Sequence, residues 1–177
     1  MFQPGSNRRN KSRRSASTRT RAERPRPCAE ALEPRLLLSG TSYLVDSLLD
    51  VVAADGAVTL REALEAANTN APVHDAPAGS DTETDLIEFD PTLGGGTIVL
   101  DGEELVVTGA TEIHAPGTGR VTIDADGRSR ALATYSTSDA LLEGLTFTGG
   151  NLVEGGGGGA AINGNVLMRE CAFVRNT

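Results

Sequence analysis

The sequence predicts an all-β protein: a right-handed, single-stranded parallel β-helix over residues 85–177, preceded by a short capping α-helix and a disordered basic tail. Three observations carry this reading. Apolar-x-apolar triplets recur at Ile98–Leu100, Val121–Ile123, Leu145–Phe147 and Cys171–Phe173, with spacings of 23, 24 and 26 residues. Seventeen of the 21 glycines lie from Gly94 onward, in turn-forming stretches before and between those triplets. Aromatic residues make up only 3% of the chain and Trp is absent, so the core must be built from Val, Ile, Leu and Ala with a few Phe.

Alternation with period two marks strands, and a repeat of 20–50 residues marks a solenoid. The longest internal match runs from Ala140–Phe147 onto Val166–Phe173, without gaps, at an offset of 26. Segments such as Ala115-Pro116-Gly117, Asp126-Gly127 and Gly155–Gly159 separate the triplets and leave no room for a 10–15-residue helix. Each coil should then stack about 4.8 Å above the last, with alternate side chains forming inward columns. Cys171 is expected in such a column as a small hydrophobe.

Charge divides the chain. Residues 1–40 hold ten Lys and Arg against three acids, whereas the rest holds six Arg against 21 acids. Three parts follow: residues 1–40, an Arg-rich tail too polar to bury a core; 41–84, an N-terminal cap; and 85–177, the first three to four coils. An acidic domain repels nucleic acid, so a nucleic-acid arm could reside only in the tail. An ordinary secretory signal needs an apolar run of seven or more residues, and only Leu36-Leu37-Leu38 follows the basic stretch. The same gap counts against a twin-arginine signal at Arg8-Arg9 or Arg13-Arg14. The segment Leu32–Ser39, LEPRLLLS after a basic lead-in, resembles the LEPR-type motif of exported proteins in planctomycete-like bacteria. That resemblance implies export to the cell surface, the outer membrane or the medium.

Within the cap, Tyr43 and its neighbours read as a strand, and Asp55-Gly56 as a turn. Thr59 is a good helix N-cap, and Glu62 three residues on completes a capping box. Leu60, Ala63, Leu64 and Ala67 recur at helical spacing, and Asn68 with the approach to Pro72 ends a helix over 59–68. The run VTLREALEAAN, followed by DLIEF, resembles the CSLREA-type module that opens surface β-helix proteins. Val58-Thr59 stands where that pattern has Cys-Ser, which removes a thiol and keeps the N-cap. The resemblance implies a helix that plugs the first coil. The acidic stretch 71–85 reads as a mobile loop and lacks the ligand spacing of a calcium loop.

Gly158-Gly159-Ala160-Ala161-Ile162 and Phe173-Val174-Arg175-Asn176 resemble the repeats of polymorphic outer-membrane and pectin-lyase-like proteins. In this reading Phe173 fills the core and Asn176 tolerates the tight turn after the strand. A lyase would need a basic group beside calcium-holding acids. No Lys follows Lys11, and Arg120, Arg128 and Arg130 surround the turn Asp124–Gly127, where salt bridges on a solvated turn suffice. Asp124 and Asp126 are too close for paired glycosidase carboxylates on adjacent coils. His114 reads as a surface residue, and a Cys28–Cys171 disulfide is not expected. The sequence thus offers no catalytic residues, no metal ligands and no cofactor site. The expected function is an exported, non-enzymatic β-helix repeat protein with a surface, adhesive or scaffolding role, its partners cell-envelope components or glycans. The alternative is a glycan-binding or polysaccharide-degrading protein whose site lies in further coils. The final strand meets no terminal cap in the sequence, which suggests the N-terminal portion of a longer protein. If so, the coding sequence beyond Thr177 should contain further Gly-Gly-Ala or Phe-x-x-Asn coils in some reading frame. Their absence from all frames would remove that expectation.

Overall fold

A computed structural model describes residues 40–135, 137–151 and 157–177. The Arg-rich tail, its LEPRLLLS segment and Cys28 lie outside the described residues. Three parallel sheets form a β-solenoid of about three turns, and successive strands of one coil fall in different sheets. The first coil comprises β2 (Asp85–Phe89), β3 (Thr97–Val99) and β4 (Leu105–Val107). The second comprises β5 (Ala110–His114), β6 (Val121–Asp124) and β7 (Leu132–Thr134). The third comprises β8 (Asp139–Glu143), β9 (Leu145–Thr148) and β10 (Ala160–Ala161), and a fourth begins with β11 (Asn165–Arg169) and β12 (Ala172–Val174). The strand β1 (Ser42–Val45) joins the outer edge of β2, giving a five-stranded sheet β1-β2-β5-β8-β11.

Inward side chains stack in columns because every pairing is parallel and in register. One column reads Tyr43, Ile87, Ile113, Leu142 and Met168. A second reads Ile98, Ile123, Phe147 and Phe173, and a third Leu105, Leu132 and Ala160. The expected parallel β-helix is therefore the observed fold, with one local difference. Ile98 pairs with Ile123, not Val121, so the first spacing is 25 residues and not 23. The slip is two residues, one pleat, so every side chain keeps its face. The gapless match of 140–147 onto 166–173 is the true register. It passes the corner between sheets because Gly144 (φ 73°) and Glu170 (φ 51°) both adopt left-handed backbone there.

The helix α1 (Leu60–Thr69) closes the open end of the first coil. Thr59 accepts from the Glu62 N–H while the Glu62 side chain accepts from the Thr59 N–H, the reciprocal capping box read from the sequence. The helix runs to Thr69, and Asn70 after it is left-handed. Leu60, Ala63, Leu64, Ala66 and Ala67 join the core beneath.

The other face of α1 seals the edge of β4. Asn68 donates to the Val106 carbonyl at 2.8 Å and accepts from the Thr108 N–H at 2.9 Å, so its amide takes the place of a neighbouring strand. Arg61 donates to the carbonyls of Glu103 and Glu104 and forms a two-pronged pair with Asp50 at 2.7 and 2.9 Å. Asp50 in turn accepts from the Asp101 N–H. Thus the residues of the LREA…AN pattern divide between core and edge, and each meets a need of the stack.

The acidic stretch 71–85, expected as a mobile loop, has defined partners. Asp75 accepts from the N–H groups of Asp55 and Gly56, Ala76 is buried, and Asp85 accepts from Thr41 and Ser80. Its acids serve as local backbone acceptors, which charge composition alone does not reveal.

Asn68→Ala leaves a strand carbonyl and an N–H on β4 without protein partners. It should cost about 1–3 kcal/mol by urea denaturation, whereas Thr69→Ala, at the exposed helix end, should cost under about 1 kcal/mol.

Candidate functional site

The outward face of the five-stranded sheet carries the most chemistry. Its side chains form rows across the coils. One row reads Leu44, Glu88, His114, Glu143 and Arg169. The next reads Ser42, Leu86, Glu112, Leu141 and Leu167. His114 Nε2 lies 3.2 Å from Glu112 and Nδ1 lies 3.7 Å from Glu143. The two carboxylates address opposite ring nitrogens, so their lone pairs do not converge on one point as metal ligation requires. Among the described residues no group of three or more His, Cys, Asp or Glu is arranged to hold a metal. His114 is the surface residue the sequence suggested, half-exposed at the end of β5. Its place in a charged row was not foreseen, because rows across coils depend on register.

A concavity of about 440 Å³ lies on this face between Thr84, Glu112, Asp139, Leu141, Asn165 and Leu167. It is shallow, and Asn165 already donates to Asp139 at 2.9 Å. A second hollow of about 470 Å³ lies beside β4 and contains Glu103, Glu104, Arg128 and Arg130. Here the expected arginine cluster separates. Arg128 and Arg130 share this hollow, whereas Arg120 stands at the opposite corner, just before β6, exposed. Arg128 bridges Asp101 and Asp126, both at 3.3 Å, and donates to the Leu100 carbonyl. Arg130 meets Glu104 at 3.2 Å and donates to the Gly157 carbonyl. These guanidinium groups tie coil to coil, and the Arg128 pairs are exposed enough to add little stability. Asp124 accepts from the Asp126 N–H in a local turn, as its spacing suggested.

The remaining sequence motifs are also absorbed by stacking. Asn176 accepts from the Gly150 N–H and donates to the Phe147 carbonyl, joining its coil to the one before. It lies in the turn after β12, where the left-handed residue is its neighbour Arg175 (φ 54°). Gly158 has backbone of Gly150 and Thr177 where a side chain would begin, so the Gly-Gly-Ala segment reflects close approach of successive coils. Phe173 stacks on Phe147 with ring centroids 5.1 Å apart, yet it stays 47% exposed and does not fill the core as expected. Cys171 is half-buried and free, and burial pushes its thiol pKa up, away from the thiolate a nucleophile needs.

Tyr43 is the buried polar group without a partner among the described residues. Its hydroxyl lies in the first coil, and burial, with the nearby Asp85 carboxylate, pushes its pKa up to about 12. No helix among the described residues is long and apolar enough to cross a membrane. No protein-family model, curated protein or solved structure matches the chain.

Tyr43→Phe should leave stability unchanged or raise it slightly, because it removes an unpaired buried hydroxyl. In the native protein, stability should fall as pH rises from 10 towards 12, since the unfolded tyrosine ionises first and the native one resists. Denaturant midpoints across that range, compared between wild type and Tyr43→Phe, check both outcomes: the fall should be smaller in the variant.

Proposed function

We propose that this protein is an exported, non-enzymatic β-helix with a surface, adhesive or scaffolding role. The observation that supports the reading best is where its distinctive residues go. Arg61, Glu62 and Asn68 serve the cap, Arg128 and Arg130 tie coils, and Asn176 bridges coils. What remains for contact is a broad sheet face with polar and apolar rows repeated across the coils, a surface suited to binding an extended partner. Such a partner would be a cell-envelope component or a glycan.

Export is supported by the resemblance of Leu32–Ser39, with its Arg-rich lead-in, to a sorting motif. The acidic composition after residue 40 suits a secreted, soluble surface more than a nucleic-acid partner.

Fractionation of producing cells, with protease added to intact cells, tests the location. The full chain should be found at the surface or in the medium, and deletion of residues 1–40 should hold it in the cytoplasm. Export that persists after the deletion would remove the sorting role of the tail. Incubation with acidic polysaccharides should yield no unsaturated products.

A further inference from the structure

The chain contains three Asp-Gly steps and one Asn-Gly step. In such a step the glycine nitrogen stands next to the side-chain carbonyl of the residue before it, and glycine has no side chain to shield it. Three of the four are held. At Asp55–Gly56 the glycine N–H donates to Asp75 at 2.9 Å. At Asp126–Gly127 it donates to the Gly149 carbonyl at 2.7 Å. At Asn163–Gly164 the Asn163 side chain is tied to the Thr134 carbonyl. Asp101–Gly102, at the corner between β3 and β4, is different. Among the described residues the Gly102 N–H makes no hydrogen bond. The Asp101 side chain is 87% exposed, and its ion pair with Arg128 is an exposed one at 3.3 Å. Gly102 has a φ of 90° and open space where a side chain would begin.

We infer that Asp101–Gly102 is a site of spontaneous covalent modification, the isomerisation of aspartate to isoaspartate, and that the change releases the helical cap. The Gly102 nitrogen attacks the Asp101 Cγ. A C–N bond forms there, a C–O bond breaks, and the amide proton leaves with the carboxyl hydroxyl as water. The cyclic imide then takes up water. Attack at Cγ restores aspartate. Attack at the main-chain carbonyl carbon breaks its bond to the Gly102 nitrogen, so the chain runs on through the side chain and gains one carbon in its length. The position of that carbon is what matters. Asp50 holds the Asp101 N–H, before the insertion. Arg61 holds the Glu103 and Glu104 carbonyls, after it. Asp50 and Arg61 are themselves joined by two hydrogen bonds, so they form one clamp that spans the step. A longer backbone between its two ends cannot satisfy both, and Arg61 is the part of the clamp carried by α1.

Prolonged incubation of the folded full chain near neutral pH, followed by digestion and enzymatic methyl labelling of isoaspartate in the separated peptides, tests the inference. The peptide carrying residues 101–102 should accumulate isoaspartate several-fold faster than those carrying 55–56 and 126–127. In denaturant the three should accumulate it at similar rates, because the restraints on the other two are gone. The modified chain, separated from the unmodified one by chromatography, should show faster hydrogen exchange across α1 and unchanged exchange in β8 and β9. Asp101→Glu, whose longer side chain disfavours the ring, should pass through the same incubation without that loosening. Equal rates at the three steps of the folded chain, or a lead at 55–56 or 126–127, overturn the assignment of the site. Exchange across α1 that is the same in both fractions, or that rises equally in Asp101→Glu, overturns the release of the cap.

Discussion

The fold depends on satisfying the backbone edge of the first coil. A parallel solenoid passes its hydrogen bonds from coil to coil, and the first coil has no preceding coil to receive them: β1 pairs with β2, but the edge of β4 needs another partner. Unpaired N–H and carbonyl groups there would cost stability and invite pairing with other chains. Beside β4 one short helix supplies the missing neighbour in two ways. Its apolar face, Leu60, Ala63, Leu64 and Ala67, covers the inside of the coil. Its polar face, Arg61 and Asn68, hydrogen-bonds the strand edge as a strand would. An isolated helix of ten residues is marginal in water. Docking on the coil gives it tertiary stability, and it gives the coil an end.

That constraint explains why conspicuous polar residues are not reactive ones. The Arg61–Asp50 pair is nearly buried, with side chains 13% and 3% exposed, a setting that in another context would suggest a site. Its hydrogen bonds run to each other, to the Glu103 and Glu104 carbonyls and to the Asp101 N–H, so the pair ties the cap to the edge of the first coil. Glu62 is buried for the same reason: one carboxylate oxygen accepts from Ala53 and the other from Thr59. Buried charge here is the means of terminating a sheet.

Much of this was legible in the sequence, and the limits follow from what sequence periodicity contains. The alternation in Val121–Ile123 and Leu145–Phe147, the glycine-rich turns and the Thr59–Glu62 capping box are local patterns, and each has its local structure. The face of a side chain survives a two-residue error, which is why the misplaced partner of Ile98 did no harm to the predicted fold. What lies across the stack was not legible. The row from Glu88 through His114 and Glu143 to Arg169, the division of the arginines between two corners, and the inter-coil role of Asn176 all join residues about one coil apart. Sequence alone determined that this chain coils and where its cap begins, because hydrophobic period and capping act within a few residues. Only the tertiary structure decided which outward side chains meet and which side chains close the edge of β4, because loop lengths between strands set the register, and register is a property of neighbouring coils.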